Sequence, residues 1–173
     1  MQQLSFKNRI ASNYIITTAL LIFVVFAVIY AIVKFSVYSS VNNDIRSEVA
    51  KHLKEIEVKE NCVLLIREEQ WKLVQFNRVD ASPAFIQFVD ELGALVLKSP
   101  NLKKKQLVYH PDEKNHELFD ANLENMTVRQ IQVPLYQGTK IIGYMMIAMS
   151  LENSILVLDN LFRILLIAYP LIL

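Results

Sequence analysis

Cysteine and glycine are scarce in this chain of 173 residues. Cys62 is the single cysteine, so no disulfide forms within the chain, and its place in the apolar run CVLLI predicts a buried thiol in a strand. With three glycines, the sequence has no glycine-rich loop of the kind that binds phosphate groups, no HExxH motif and no pattern typical of a serine-type triad. These absences argue against an enzyme active site within these 173 residues.

Charge is missing from a long N-terminal stretch. No charged residue lies between Arg9 and Lys34. An uncharged interval of about 24 residues forms a helix of roughly 36 Å, longer than the hydrocarbon core of a bilayer. A long helix of a soluble protein normally has a polar face, and the apolar region of a signal peptide is shorter. We therefore expect residues 14–33 to cross a membrane.

Acidic residues are missing from both ends of the chain. No Asp or Glu precedes Asp44, and none follows Asp159, whereas the N-terminal tail carries two basic residues. Because positively charged segments stay in the cytoplasm, we expect the N-terminus inside the cell and the chain beyond Tyr38 outside. The outer part is slightly acidic, which argues against a nucleic-acid partner.

A second apolar segment, residues 161–173, closes the sequence. At about 13 residues it is too short to cross a bilayer alone, so we expect it to be the beginning of a second membrane helix in a longer natural chain. Arg163 is expected at the outer interface, and Pro170 within the membrane. The predicted organisation is a cytoplasmic tail (1–13), a first transmembrane helix (14–37), an outer domain (38–160) and the start of a second transmembrane helix (161–173).

Helical periodicity continues beyond the first apolar stretch. Apolar residues spaced by three or four predict a helix to about residue 57. Its apolar stripe has two possible uses, packing on a sheet and pairing with a second copy, and we expect both. The stripe is Tyr38, Val41, Ile45, Val49, Leu53 and Ile56. A further helix is predicted over residues 84–98, with Ser82 as its N-cap and Pro83 at its first position.

Short apolar runs between turn residues predict strands. They lie at residues 62–66, 71–76, 106–109, 117–119, 127–135 and 141–149. The last run is the most apolar and is expected at the centre of the sheet. Ser150 is the predicted cap of a helix that leads into the second membrane segment. This order predicts an α+β fold, in which an antiparallel sheet with helices lies between two transmembrane helices.

Two histidines fall in a turn-rich, acidic stretch. His110 and His116 flank Asp112, and imidazoles with a nearby carboxylate are ligands for Zn²⁺ or Cu²⁺. The alternative is a solvated loop with surface histidines. His52, on the first helix, is expected to be a packing or dimer-contact residue.

Arg129 stands between apolar residues of a predicted strand. A guanidinium group there suits a small carboxylate ligand. The alternative is a salt bridge on the face of the sheet.

Almost the whole sequence, from Phe6 to Leu173, resembles a family of membrane receptors, and the resemblance is most specific in the C-terminal third. The stretches that carry the resemblance are Thr127-Val128-Arg129, Val133-Pro134-Leu135, Gly138, Ile142-Gly143-Tyr144 and Ile147-Ala148-Met149-Ser150-Leu151-Glu152. They are similar to the last hairpin of the PAS-like (Cache or PDC-like) periplasmic domain of bacterial sensor histidine kinases, in the group that includes heavy-metal sensors. In that group an arginine-bearing strand, a glycine turn and a Ser-Leu-Glu end lead directly into the second membrane helix.

The resemblance implies a two-component phosphorelay receptor in the bacterial inner membrane. It implies a homodimer whose outer domain is periplasmic and senses a small ligand, a metal ion or envelope stress. A HAMP linker, a phospho-accepting histidine helix and an ATP- and magnesium-binding domain would follow in the rest of the chain and act on a response regulator; no cofactor is expected here. The alternatives are the input domain of a chemoreceptor or cyclase, and a membrane-anchored interaction module without signal output.

Overall fold

The computed structural model describes residues 6–54, 56–59, 62–65, 84–111 and 115–173. Within them the chain is α+β, with two long apolar helices and an antiparallel five-stranded sheet. The elements are α1 (Phe6–Leu53), β1 (Ile56–Lys59), β2 (Cys62–Leu65), β3 (Phe85–Asp90), β4 (Leu95–Lys98), a 3₁₀ turn (Pro100–Leu102), β5 (Leu118–Leu123), β6 (Met126–Gln137), β7 (Lys140–Ser150) and α2 (Glu152–Ile172). The predicted α+β class is confirmed at this level.

The chain divides into two compact units. The helical unit comprises the chain up to Tyr38 together with Ser154–Leu173, and the sheet unit comprises Ser39–Asn153. Helix α1 runs without interruption from Phe6 to Leu53, so it supplies residues to both units.

Aromatic side chains join the two helices of the helical unit. The rings of Phe26 and Tyr169 have centroids 6.4 Å apart, and those of Tyr30 and Phe162 are 6.2 Å apart, both edge-to-face. The Tyr169 hydroxyl donates a hydrogen bond to the carbonyl oxygen of Ala19 at 3.2 Å. Apolar contact and one hydrogen bond therefore hold this helix pair together.

The five-stranded sheet has the order β4-β3-β7-β6-β5, and every neighbouring pair is antiparallel. Strand β7 is central, as the sequence predicts. It pairs with β6 through the hairpin at Gly138, whose φ of +63° is the left-handed conformation that glycine adopts readily. Ser150 ends β7, and its hydroxyl accepts a hydrogen bond from the N–H of Glu152 at 3.2 Å, which confirms the predicted cap of α2.

Both faces of this sheet are covered. One face, here called the helix face, packs against α1 through Ile45, which is fully buried, and through Val41 and Val49. The sheet residues on that side are Ile86, Phe88, Ile131, Val133, Leu135, Met145, Ile147 and Met149. The predicted packing of the α1 stripe on the sheet is therefore confirmed for these three positions.

The opposite face, here called the strap face, is covered by a connecting segment. Leu102 of the 3₁₀ turn and Leu107 are buried there. The sheet residues on that side are Phe85, Val89, Leu123, Val128, Tyr144, Met146 and Ala148. Residues 105–110, here called the strap, belong to no strand, so the strand predicted at residues 106–109 is wrong.

The predicted helix over residues 84–98 is also wrong, because those residues form β3, a turn and β4. Asp90 makes the turn, since its carboxylate accepts hydrogen bonds from the N–H groups of Leu92 and Ala94 at 2.9 and 2.8 Å. Gly93 follows with a φ of +85°. Strand β3 is buried on both faces, so its apolar residues do not alternate with polar ones, and over a short window they imitate a helical stripe.

The remaining strand predictions differ in their outcome. The strands predicted at residues 62–66, 127–135 and 141–149 correspond to β2, β6 and β7. The strand predicted at 117–119 is part of β5, which extends to Leu123. Helix α1 ends at Leu53 rather than near residue 57, because Ile56–Lys59 pairs with β2. The predicted strand at 71–76 and the predicted cap at Ser82 lie outside the described residues.

Replacing Gly143 by alanine is expected to destabilise the sheet unit by more than about 2 kcal/mol, because the new Cβ would overlap the backbone carbonyl oxygen of Val89 on the neighbouring strand. Gly138→Ala is the control. Nothing lies within 4 Å of a Cβ at that position, so only the left-handed backbone is strained, at about 1 kcal/mol. Pulse proteolysis of both variants in urea gives the two unfolding midpoints. Equal losses for the two variants would contradict this interpretation.

Candidate functional site

Arg129 lies on β6, directly opposite Asp120 of β5. Its guanidinium Nη1 is 2.9 Å from the Asp120 Oδ1, and Asp120 is about half exposed. The salt bridge, which is the alternative interpretation of the sequence, is therefore present. Strand alternation places Arg129 on the same face as Ile131 and Val133, which is the helix face. A carboxylate ligand at Arg129 stays a prediction, and it would compete with Asp120.

The backbones of the two predicted metal-ligating histidines are hydrogen-bonded to one residue of β6, Gln132. Its carboxamide accepts a hydrogen bond from the N–H of His110 at 3.1 Å and donates one to the carbonyl oxygen of His110 at 2.8 Å. The same nitrogen lies 3.0 Å from the side-chain oxygen of Asn115. The N–H of His116 donates to the backbone carbonyl of Gln132 at 2.8 Å. The backbones at the two ends of the predicted metal loop therefore meet at Gln132.

The side chains of that loop give no metal centre among the described residues. The His110 ring stacks edge-on against Phe119, with centroids 5.1 Å apart. His116 is exposed and has a φ of +64°, and Asp112 lies outside the described residues. In the described part of the chain no group of three or more His, Cys, Asp or Glu side chains is close enough to hold a metal ion. The Zn²⁺ or Cu²⁺ site stays a prediction.

His52 is buried near the end of α1, with 1% of its surface exposed. Its Nε2 lies 3.1 Å from the Glu48 carboxylate one turn earlier, and Lys51 Nζ lies 3.4 Å from the same oxygen. The hydrogen bond from His52 lowers the pKa of Glu48 below its ordinary value of 4.5, and the positive charge of Lys51 acts in the same direction, while burial opposes both. These contacts favour the ionised form of Glu48 near the end of α1.

The strap face has a different chemistry, because two buried glutamines reach the backbone of the strap. Gln87 of β3 accepts a hydrogen bond from the N–H of Leu107 at 2.8 Å. Gln130 of β6 donates to the carbonyl oxygen of Val108 at 2.6 Å. With Gln132 they form what we call the glutamine triad. All three are at most 2% exposed.

An aromatic contact holds the same strap. The ring of Tyr109 lies 5.2 Å from that of Tyr144 on β7, in a tilted arrangement. Gly93 also lies against the Tyr109 ring, because a Cβ built on Gly93 would come to 2.5 Å from the ring Cδ1. The strap is therefore fixed by side chains rather than by a ladder of backbone hydrogen bonds.

A cavity of about 500 Å³ lies within the helical unit. It is lined by apolar and aromatic side chains of both helices, among them Phe23, Tyr30 and Phe162. Its one described hydrogen bond, from Tyr169, is made to α1 itself. The cavity therefore offers contact to an apolar group.

Sequence reasoning missed the glutamine triad. The signal is nevertheless present, because Gln130 and Gln132 are two residues apart in a strand and flank the apolar Ile131, and Gln87 interrupts the run FIQFV. Alternate positions of a strand share a face. Polar residues at such positions in a buried strand need partners, and here the partner is the strap.

Comparisons of the chain with protein-family models, characterised proteins and solved structures gave no match. The resemblance to sensor histidine kinases therefore stays a prediction. The geometry described above is the basis for a functional proposal.

Lowering the pH from about 6 to about 3 is expected to weaken the sheet unit through Glu48. The folded state lowers the pKa of this group, so its contribution is present above the ordinary pKa and is lost as the pH falls through the folded value. The contribution is below about 1 kcal/mol, because the carboxylate is partly exposed to solvent.

Urea midpoints of the wild-type chain and of Glu48→Gln, measured across this pH range, test the prediction. The stability difference between the two proteins should shrink as the pH falls. Glu152→Gln is a matched control at an exposed carboxylate, and its difference from wild type should change less. A pH-independent difference for Glu48→Gln would contradict the assigned role.

Proposed function

We propose that this chain is the sensing and membrane-spanning part of a homodimeric receptor, of the sensor histidine kinase type, in a bacterial inner membrane. The sheet unit is the extracytoplasmic input domain and has a PAS-like fold. The helical unit crosses the membrane. A signal changes the packing of the sheet unit, and the two helices carry the change to an output domain that acts on a response regulator.

The continuity of α1 carries the proposal. One helix extends from the uncharged stretch to the core of the sheet unit, where Ile45 is fully buried between β-sheet side chains. Any rearrangement of the sheet that moves Ile45 acts on the same helix that contains residues 14–33. A simple membrane anchor has no need for such a connection.

The second helix is attached to the central strand. Only Leu151 separates β7 from α2. Leu151 is buried, and its N–H donates to the carbonyl oxygen of Thr127 at 2.9 Å. The sheet therefore connects to an apolar helix at each of two places, one through α1 and one through its most buried strand.

The surface of the two helices supports a membrane location. Both are long and apolar enough to cross a bilayer, by length and composition. In the α1 window, none of the residues is buried within the chain, and Leu20 and Phe35 are 63% and 76% exposed. A core helix of a soluble protein would bury such side chains, whereas lipid covers them in a membrane.

The energy needed for signalling is modest. A ligand shifts an equilibrium between two packings only by its difference in affinity for them. A tenfold shift needs about 1.4 kcal/mol, and an almost complete switch needs about 5.5 kcal/mol. A few hydrogen bonds between a ligand and the sheet unit are enough to supply the roughly 1.4 kcal/mol of a tenfold shift.

The orientation is tested by thiol labelling. In a Cys62→Ala background, we expect Thr139→Cys, in the exposed hairpin turn, to react with a membrane-impermeant maleimide added outside the inner membrane. The reason is the positive charge of the N-terminal tail. Asn8→Cys is the matched control and should react only after the membrane is permeabilised. The reverse pattern would overturn the orientation.

Signal transfer along α1 is tested by changing the phase of the helix. The chain is joined after Leu173 to the output region of a characterised sensor kinase. One alanine inserted between Tyr38 and Ser39 turns the Ile45 stripe by about 100° relative to residues 14–33, whereas seven alanines turn it by only about 20°. We expect the first insertion to change basal autophosphorylation about tenfold and the second to leave it within about twofold.

Two comparisons make this experiment decisive. One alanine inserted between Gly138 and Thr139, in the exposed turn, should leave the output unchanged. If all three insertions give the wild-type output, the chain is an anchor or interaction module rather than a signal transducer.

A further inference from the structure

The glutamine triad presents the polar groups that pair with a peptide backbone. A carboxamide carries one acceptor oxygen and an NH₂ donor, the same groups as a peptide bond. Gln87, Gln130 and Gln132 direct these groups at the N–H of Leu107, the C=O of Val108, and both the N–H and the C=O of His110. The triad thus binds four backbone groups of the strap, at distances between 2.6 and 3.1 Å.

The triad recognises backbone more than side chains. Gln106 and Val108 of the strap are exposed, so the sheet does not bury them. The side chains of Leu107 and Tyr109 lie against the sheet instead. Leu107 belongs to the buried cluster, and the Tyr109 ring contacts Tyr144. The strap face therefore contacts two apolar side chains and four backbone groups of the segment that covers it.

One group of the triad is not satisfied by the strap. The Oε1 of Gln130 is buried and has no hydrogen-bond partner among the described residues, although its Nε2 is bound at 2.6 Å. A buried acceptor without a donor costs about 1–3 kcal/mol. A ligand that supplies one more N–H group at this point would gain that energy, so the strap is an incomplete occupant of its own site.

The described part of this face has no buried charge. Among the described residues that are buried, no Lys, Arg, Asp or Glu occurs, and the one buried histidine, His52, belongs to α1. A carboxylate or an ammonium group would lose its water here without a counter-charge. The chemistry therefore favours a neutral amide over a charged amino acid.

We propose that the strap face is a binding site for the backbone of an extended, uncharged peptide segment, and that the strap occupies it in the unliganded protein. The incoming peptide replaces the strap on the glutamine triad and adds an N–H for Gln130. Nothing in this inference depends on the proposed signalling function, because it concerns the sheet unit alone.

The test uses the full chain in detergent and a peptide with the sequence of the strap. The probe is acetyl-QLVYH-amide with a fluorescent label; it omits the charged Lys105 of the strap and is neutral at both ends. Tyr109→Ala opens the strap, because it removes the contact with Tyr144. We expect the peptide to bind this variant at least tenfold more tightly than the wild-type chain, as measured by fluorescence anisotropy.

Two changes identify backbone recognition. Methylating the leucine nitrogen of the probe removes the donor for Gln87, and Gln87→Met in the opened chain removes the acceptor while keeping the length of the side chain. Each is expected to weaken binding at least tenfold. Gln137→Met, at an exposed glutamine of β6, is the matched control and should leave binding unchanged. Free L-glutamine, a carboxamide with charged ends, should not compete.

Several outcomes would overturn the proposal. They are equal binding of the methylated and unmethylated probes, equal binding by Gln87→Met, and full competition by L-glutamine, which would indicate a small-carboxamide site. Hydrogen exchange in the wild-type chain serves if Tyr109→Ala does not fold. Excess probe should then speed exchange at the amides of Leu107 and His110, and unchanged exchange would count equally against the proposal.

Discussion

The central strand β7 is buried on both of its faces, and the sheet unit is organised to meet that constraint. From Gly143 to Met149 every residue of β7 is buried. Apolar surface contributes about 25 cal/mol for each square ångström removed from water, so a sheet with two apolar faces needs a cover on each side. Helix α1 covers one face, and the strap with the 3₁₀ turn covers the other.

The two covers differ in how their backbone hydrogen bonds are satisfied. A helix satisfies its own backbone hydrogen bonds, so α1 can present Val41, Ile45 and Val49 to the sheet without any polar partner. The strap has no regular structure, and its backbone N–H and C=O groups would be left without partners where it is buried. The glutamines of β3 and β6 supply those partners. The buried glutamines at three positions of the strap face are therefore a consequence of using an irregular segment as a cover.

The sequence predicted secondary structure and packing correctly where one pattern extends over many residues. The examples are the helix over the uncharged stretch before Lys34, the packing of Val41, Ile45 and Val49 on the sheet, and the central place of β7. The sequence was misleading elsewhere. It failed at residues 84–98, where burial on both faces of β3 removed the alternation that identifies a strand. It failed again at residues 106–109. These residues form hydrogen bonds with side chains, whereas a strand pairs with the backbone of its neighbour, and the two cases look the same in sequence.

The candidate sites were harder to predict for a related reason. Arg129 and the two histidines stand out by residue type, since charge and imidazole are familiar ligand chemistry. Glutamine is not a familiar ligand residue. The role of Gln130 and Gln132 is recognised only from their hydrogen bonds to the strap. Three-dimensional partners, not residue types, define that site.

The two covers also differ in how readily they can be exchanged. The contact of α1 with the sheet is made by branched apolar side chains on a helix that continues for about 30 residues beyond the sheet unit, so its loss would require moving a long element. The strap is six residues long and is held by hydrogen bonds, by the ring contacts of Tyr109 and His110, and by the burial of Leu107. Each hydrogen bond or ring contact contributes about 1 kcal/mol. When the strap is displaced, the strap face changes while the helix face stays covered. Because β7 is shared by both faces, Met146 and Ala148 of the strap face alternate along it with Met145 and Ile147, which lie in one cluster with Ile45 on the helix face. For the proposed receptor, the strap is therefore the suitable place for an input, and α1 is the suitable place for an output.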